Sequence, residues 1–206
     1  MIEAFSLKTA HYFGDALASQ ARLRYRVFVE QRALPHPSYD GMEYDEFDTP
    51  AAIYLVWRDP HQVVRGLMRL VPTTVPYMVE KHWPYLFETR ALPKSDRVFE
   101  CSRVCVDRTY DARIRPVIMP ELLCAGHEFC KHNGVDAVVG VTRKHLIGHF
   151  LRTGLEWLGE EQEIEGEREA AFWIPTSHMR PAWHCAKYGI PNRVLSFEPL
   201  NQRIAA

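Results

Sequence analysis

The chain has 206 residues, 47% of them hydrophobic and 25% charged, with a formal net charge of −1 at neutral pH. This length and composition suit one globular domain, so we expect residues 1–206 to form a single domain and a monomer. The near-zero net charge gives little attraction to nucleic acid or to an anionic membrane, which argues against both as partners. The sequence shows no secretory signal and no bilayer-length apolar run, so we expect a cytoplasmic protein.

Cysteine and histidine spacings give no sign of a disulfide framework or a metal centre. The five cysteines are odd in number and lack disulfide-like spacing, so we predict free thiols that are mostly buried. His145 and His149 have the i,i+4 spacing of a helical metal site. They lack the glutamate of the HExxH motif and an obvious third ligand, so we predict no metal.

The first half of the chain alternates regular elements with one long irregular segment. Alternating apolar residues predict a strand over 2–7, and apolar residues at helical spacing predict a helix over 13–30. Prolines and a glycine make 33–50 irregular, and a loop of this length inside a compact domain is often functional. A hairpin follows, with strands over 53–58 and 63–71.

The second half of the chain begins with a loop-rich stretch that contains several prolines. Its pattern then predicts strands and helices in alternation. The predicted strands cover 97–106, 136–142, 170–174 and 193–197. The predicted helices cover 116–132, 143–153 and 178–187. One strand–helix–strand crossover together with the antiparallel hairpin indicates a mixed α/β sheet, which is not doubly wound because the hairpin breaks the alternation. The sequence contains no GxGxxG or P-loop motif, which argues against a dinucleotide or nucleoside triphosphate site.

Four segments together resemble the LuxI-type acyl-homoserine-lactone synthases, also called autoinducer synthases. They are RYRVF at 24–28, DGMEYDEFD at 40–48, GLMRLVPT at 66–73 and ECSR at 100–103. Each segment alone is weak, but their order and spacing fit the family across the first half of the chain. The family's usual tryptophan six residues after Phe28 is replaced by Leu34, and the loop around it, Arg32 to Tyr39, also differs from the usual family pattern.

The resemblance implies a GNAT-like acyltransferase fold, in which a mixed central sheet flanked by helices contains a splayed parallel strand pair. In this chain the splayed strands should hold Glu100–Val106 and Asp136–Thr142, with the acyl-pantetheine arm in the gap. The segment from Asp107 to Pro116 contains no glycine. It therefore differs from the glycine-rich pyrophosphate loop of ordinary acetyltransferases.

The resemblance also implies a two-step reaction on S-adenosylmethionine (SAM). The α-amine of SAM attacks an acyl thioester and forms an amide. The SAM carboxylate then attacks its own γ-carbon, closes the lactone and expels methylthioadenosine. SAM and the thioester are thus substrates, and we expect no permanently bound cofactor.

The matching motif positions supply the residues that this chemistry needs. A carboxylate must take a proton from the amine, since free α-amino groups titrate at about pH 8. Glu100 is the first candidate for this base, with Asp45 and Asp48 as rivals, and Arg103 completes the catalytic set. Acidic and aromatic groups could hold the sulfonium, and arginines could hold the carboxylate. The residues expected to bind SAM are Arg24, Phe28, Asp45, Asp48, Arg69 and Arg103. Alternatively, these charges could be ion pairs that tie the long loop to the sheet.

The acyl donor is assigned less specifically. Thr142, Val141, Leu146 and Phe150 are candidates for the acyl pocket, or for ordinary core. The donor could be an acyl-carrier protein or an acyl-CoA. Either donor is acidic and would bind to basic residues, and Arg108, Arg113 and Arg115 are the candidates. Alternatively, these arginines form an ordinary solvated face. The altered loop at Leu34 is similar to rhizobial members that use CoA thioesters of short branched or aryl acids, such as the isovaleryl subgroup.

Two other functions stay open at this point. A general GNAT-type N-acyltransferase would release no methylthioadenosine, whereas a synthase would. A non-catalytic ligand sensor would turn over no thioester at all.

Overall fold

The computed structural model describes residues 1–147, 154–179 and 181–196, in which strands and helices are interspersed along the chain. The strands are β1 Ile2–Ser6, β2 Ser38–Tyr39, β3 Met42–Glu43, β4 Ile53–Arg58, β5 Val64–Pro72, β6 Val98–Val106, β7 Ala137–Thr142, β8 Glu156–Trp157, β9 Gln162–Ile164, β10 Glu167–Pro175 and β11 Leu195–Ser196. The helices are α1 Ala16–Arg24, α2 Met78–His82, α3 Arg115–His132, α4 Lys144–Ile147 and α5 Pro181–Tyr188.

Chain contacts group the described residues into two compact units. The first unit contains residues 1–69, 103–129 and those from 181 onward, and the second contains 70–102 and 130 to 179. In the first unit the strand order is β11-β1-β4-β5-β6. Parallel pairing joins β11 to β1, whereas β1 and β4 pair antiparallel over five residues.

Strand β5 is a buried interior strand of the first unit's sheet, next to β4. Its sequence VRGLMRLVP is buried almost throughout because a central strand is covered on both faces. A Cβ at Gly66 would lie 2.4 Å from the side chain of Ile118, so α3 lies against the strand where glycine leaves room. Arg69 is fully buried in this apolar run. A charged group there needs partners, which indicates a functional or ion-paired position.

The second unit contains the parallel strand pair. β6 and β7 pair through Val98–Ala137, Phe99–Val138 and Glu100–Val139. Both strands continue past these pairs, β6 to Val106 and β7 to Thr142. The parallel ladder thus lies at the N-terminal ends of both strands. On the other side of β7, β10 pairs antiparallel over six residues, and β8 and β9 follow on β10.

The predicted elements agree with the structure in type, and the differences are local. The predicted helix over 13–30 is a 3-10 turn, α1 and a π-helical segment, Tyr25–Gln31. The irregular segment contains the small β2–β3 hairpin, which was not predicted because its strands have two residues each. Of the predicted helix over 143–153, α4 is described, and the remainder lies outside the described residues. Within the described ranges, we find no helix with the length and apolar character needed to cross a membrane.

Candidate active site

Three arginines and three carboxylates meet in the first unit, and all of them come from the motif segments. Arg24 ends α1, Arg69 lies on β5 and Arg103 on β6. Glu43 ends β3, and Asp45 and Asp48 follow in the loop. The formal charges of the six groups cancel. Arg24, Arg69 and Glu43 are completely inaccessible to solvent, so this cluster forms an internal polar network.

Arg24 is the residue that contacts all three carboxylates. Its Nε donates to Oε2 of Glu43 and its Nη1 to Oδ1 of Asp48, the second at 2.7 Å. Its Nη2 lies 3.4 Å from Oδ2 of Asp45. The change from α-helical to π-helical geometry directly after Arg24 is a feature often found at functional sites.

Arg69 holds the loop carboxylates from the sheet side. Its Nη1 and Nη2 donate to the two oxygens of Asp45, at 2.6 and 2.9 Å, which is the bidentate geometry of a strong pair. Nη1 also lies 3.0 Å from Oδ1 of Asp48. The same Asp48 oxygen accepts a 2.7 Å hydrogen bond from the buried hydroxyl of Tyr54. The loop is thus tied to β4 and β5, as the ion-pair alternative required.

Arg103 reaches the cluster from a backbone conformation that side-chain-bearing residues rarely adopt. Its φ is +52° in the middle of β6. Its Nη2 lies 3.0 Å from Oε1 of Glu43 and 2.9 Å from Oδ2 of Asp45. Its Cζ lies 5.4 Å from the ring centroid of Phe28. The guanidinium of Arg103 therefore makes a cation–π contact with the ring that we predicted to contact the SAM sulfonium. Backbone strain of this kind concentrates at functional sites.

The electrostatics keep Glu43 and Asp48 ionised. Burial opposes the charge of Glu43, but His36, Arg24 and Arg103 together lower its pKa to about 2. Burial likewise opposes the charge of Asp48, and Arg24 and Arg69 hold its pKa well below the usual range. Burial lowers the pKa of Arg103, an effect that Glu43 and Asp45 only partly offset.

Three members of this site were not assigned from the sequence. Glu43 lies two residues before Asp45, and that spacing within an acidic motif was the available signal. Tyr54 looks like an ordinary strand residue, and His36 lies in the segment that departs from the family pattern. Nδ1 of His36 is 3.4 Å from Oε1 of Glu43, and its ring centroid is 6.0 Å from that of Phe28.

Glu100 lies in the second unit, three residues before Arg103 on β6. It is buried, and its carboxylate accepts the first backbone N–H groups of α2: Oε2 from Met78 at 3.0 Å and Oε1 from Val79 at 2.7 Å. A negative charge at the N-terminus of a helix also interacts favourably with the helix dipole. The observed contacts therefore include a structural role for the residue that we predicted as the base.

The residues predicted to line the acyl pocket have different degrees of burial. Val141 and Thr142 end β7 and are partly buried. Leu146 lies on α4 and is 48% exposed, which is not the environment of an ordinary core residue. Phe150 lies outside the described residues.

The predicted docking arginines surround the start of α3 in the first unit. Arg108 is exposed, and its carbonyl oxygen accepts a hydrogen bond from Nη1 of Arg115. The side chain of Arg113 is 89% exposed and forms a 2.7 Å ion pair with Asp111. Arg108 and Arg113 are therefore accessible, although Asp111 compensates part of the charge of Arg113.

Cysteine and metal chemistry have little support in the described residues. All five cysteines are free thiols, and three of them are buried, as predicted. Burial raises the pKa of Cys105 to about 12, so that thiol stays protonated at neutral pH. In residues 1–147, 154–179 and 181–196 we find no group of three or more potential metal ligands. His149 lies outside these residues.

Comparison with known proteins identifies the family. The autoinducer synthase family profile matches residues 13–180. The isovaleryl-homoserine lactone synthase of Bradyrhizobium diazoefficiens is 33% identical over 157 residues, which cover 75% of this chain and 69% of that protein.

Solved structures agree with this assignment. The CoA-dependent acyl-homoserine lactone synthase BjaI, solved with SAM and isopentyl-CoA, superposes with a TM-score of 0.83 at 25% identity, covering 100% of this chain and 99% of that one. An acyl-CoA N-acyltransferase from Pseudomonas aeruginosa has a TM-score of 0.52 at 17% identity, covering 77% of this chain and 89% of that one. The second likeness shows the fold alone, and confirms the GNAT-like prediction. The chain therefore belongs to the autoinducer synthase family of acyltransferases, the acyl-homoserine-lactone synthases.

Proposed function

We propose that the chain makes a short branched acyl-homoserine lactone from SAM and an acyl-CoA, and that the arginine–carboxylate cluster of the first unit is its SAM site. The observation that carries this proposal is the buried, charge-balanced cluster formed by Arg24, Glu43, Asp45, Asp48, Arg69 and Arg103. The reaction is supported by the similarity to an isovaleryl-homoserine lactone synthase and to BjaI, which was solved with SAM and isopentyl-CoA. The cluster supports the position, because it brings together arginines that can pair with the SAM carboxylate and carboxylates that can pair with the sulfonium and the amine.

Arginine supplies the group that grips the SAM carboxylate. Arg103 is our choice, because it is the least buried of the three and because Glu43 and Asp45 only partly offset the burial of its charge, so that a further carboxylate would stabilise it. Arg24 and Arg69 are fully buried and hold the loop. The SAM sulfonium then has acidic neighbours in Asp45 and Asp48.

Glu100 is the proposed general base for the first step. Two of the donors that it meets are neutral backbone N–H groups. Asp48 is instead paired with Arg24 and Arg69, which hold its pKa well below the usual range and make it the poorer proton acceptor. After Glu100 takes a proton from the SAM amine, the amine nitrogen bonds to the thioester carbon, and the carbon–sulfur bond breaks. The nitrogen of the adduct releases its second proton, which the departing CoA thiolate takes up, so that an amide and free CoA result.

Lactone closure needs alignment and no further proton transfer. A carboxylate oxygen of SAM bonds to the γ-carbon, and the bond from that carbon to the sulfonium breaks. The sulfur leaves as the neutral thioether of methylthioadenosine. An arginine that fixes the carboxylate therefore controls the attack geometry as well as the binding.

The donor assignment is supported by chemistry around α3 and β7. Arg108 and Arg113 offer exposed guanidinium groups for CoA phosphates, with Arg115 nearby on the chain. Val141, Thr142, Leu146 and Phe150 are proposed to contact the acyl chain. We further propose that residues 1–206 act as one monomeric synthase domain in the cytoplasm, where SAM and acyl thioesters are made.

The test is incubation of the purified chain with SAM and isovaleryl-CoA, followed by mass spectrometry. We expect acyl-homoserine lactone, methylthioadenosine and free CoA in equal amounts. Free CoA without methylthioadenosine would instead indicate a general N-acyltransferase. Faster turnover with isovaleryl-carrier protein than with isovaleryl-CoA would contradict the donor assignment.

Two variants test the residue roles. Asp45→Asn removes a charge paired with Arg69 and Arg103. We expect it to reduce kcat/KM for SAM by about 100-fold, the effect of losing the transition-state stabilisation of about two charge-assisted contacts. Asp40→Asn, an exposed change in the same loop, is the matched control and should behave as wild type.

Glu100→Gln should lower kcat and remove the acidic limb of the pH–rate profile. An unchanged profile in a folded Glu100→Gln protein would leave Glu100 with only its role at α2.

A further inference from the structure

The segment that departs from the family pattern carries a histidine that is directed at the SAM site. Ala33 has a φ of +54°, and the backbone N–H of Leu34 donates to the carbonyl of Phe28 at 3.0 Å. The chain therefore folds back on the π-helical segment before it enters β2. The result is that His36 leaves the turn next to Phe28.

The β2–β3 register fixes the position of His36 relative to Glu43. Ser38 pairs with Glu43, and the N–H of Tyr44 donates to the carbonyl of Pro37 at 3.3 Å. His36 therefore lies beside the end of β3. Its side chain is 10% exposed, and its Nδ1 is 3.4 Å from Oε1 of Glu43.

Arg103 and His36 share that one oxygen. Nη2 of Arg103 lies 3.0 Å from Glu43 Oε1, while Arg24 takes the other oxygen, Oε2. When Arg103 turns towards a substrate carboxylate, Oε1 loses its guanidinium contact. Glu43 is inaccessible to solvent, so water cannot easily replace that contact, and a buried carboxylate oxygen without a donor is costly.

We propose that His36 is a positioning residue for SAM, which holds Glu43 through its Nδ1–H while Arg103 engages the SAM carboxylate. The inference rests on the proposed function of Arg103. His36 itself does not touch SAM in this scheme. Its effect is to lower the cost of the exchange, and so it acts on SAM affinity rather than on the acyl donor or on the chemical step.

The experiment compares His36→Leu, which fills similar space without a donor, with His36→Asn, whose amide nitrogen can occupy the position of Nδ1. We expect His36→Leu to raise KM for SAM roughly tenfold, the effect of one lost buried hydrogen bond, with kcat and KM for isovaleryl-CoA near wild type. His36→Asn should recover most of this loss. His61→Leu, a change in the exposed β4–β5 turn, is the control.

Thermal unfolding of every variant separates packing from positioning. A wild-type KM for SAM in His36→Leu would overturn the inference. So would an equal loss in His36→Leu and His36→Asn that follows their loss of stability. Arg103→Lys is measured in parallel: if it leaves KM for SAM unchanged, the assignment of Arg103 fails, whereas an impaired Arg103→Lys beside a normal His36→Leu sinks the role of His36 alone.

Discussion

Arg103 places its Nη2 atom 2.9 Å from Oδ2 of Asp45 while its own backbone has a φ of +52°. The contact and the conformation belong together, because a residue in left-handed geometry interrupts the regular side-chain alternation of a strand and redirects its side chain. The sheet therefore accepts local strain at the residue that joins it to the acidic loop.

Replacement of Arg103 by glycine should be less destabilising than replacement by alanine. Both variants remove the guanidinium, so they share the cost of unpaired Glu43 and Asp45. Only alanine retains a Cβ at positive φ, which costs about 1 kcal/mol more than glycine. Urea unfolding of the two variants measures this difference directly. Equal free energies of unfolding would show that the position carries no backbone strain.

Acid should destabilise the protein through Glu43. The pKa of Glu43 is lowered from an ordinary value of 4.5 to about 2 in the folded chain, so the folded state binds this proton less readily than the unfolded state. The resulting stability is fully present above pH 4.5 and is lost as the pH falls towards 2. The expected loss is of the order of 3 kcal/mol.

Urea unfolding at pH 7, 5, 4 and 3 checks this dependence, and the variant Glu43→Gln isolates the residue. Its unfolding free energy should be lower at pH 7 and should fall less steeply below pH 4.5 than that of wild type. Glu30→Gln, at an exposed position on the π-helical segment, should keep the wild-type slope. A Glu43→Gln protein as acid-sensitive as wild type would assign the effect to other groups.

Loss of the Tyr54 hydroxyl should destabilise the first unit. The hydroxyl donates to Oδ1 of Asp48 at 2.7 Å, and hydrogen bonds to charged groups are worth about 1.5–3 kcal/mol. Tyr54→Phe should lower the free energy of unfolding by about this amount, whereas Tyr39→Phe, at a residue 81% exposed, should not. Equal stability of the two variants would mean that Asp48 is fully satisfied by Arg24 and Arg69.

A methyl group at Gly140 should disturb the parallel strand pair. A Cβ at this residue would lie 2.6 Å from the backbone carbonyl oxygen of Cys101 and 2.9 Å from the ring of Phe172. Backbone cannot move aside as a flexible side chain can, so Gly140→Ala should cost about 1–3 kcal/mol of stability. Gly126→Ala is the contrast, because its nearest neighbour is the end of the Met68 side chain. Equal tolerance of both changes would argue against this close approach.

Local patterns were sufficient to predict much of the fold. The β4–β5 hairpin and helix α3 were predicted within one or two residues, because alternation, turn residues and helical spacing act over short stretches of chain. The β2–β3 hairpin was missed because strands of two residues have no detectable period. The π-helical geometry after Arg24 has no signature in the apolar spacing.

The sequence by itself determined the family and predicted five of the six charged residues of the cluster, because four motifs in register require several matches at once. Only the tertiary structure decided how those charges are paired: that Arg24 contacts three carboxylates, that Glu43 is held by Arg24 and Arg103, and that His36 and Tyr54 belong to the site. The physical reason is that ion pairs and hydrogen bonds between residues far apart in the chain form only when donor–acceptor distances of about 3 Å are met to within a few tenths of an ångström. Periodicity and composition carry no information about such distances.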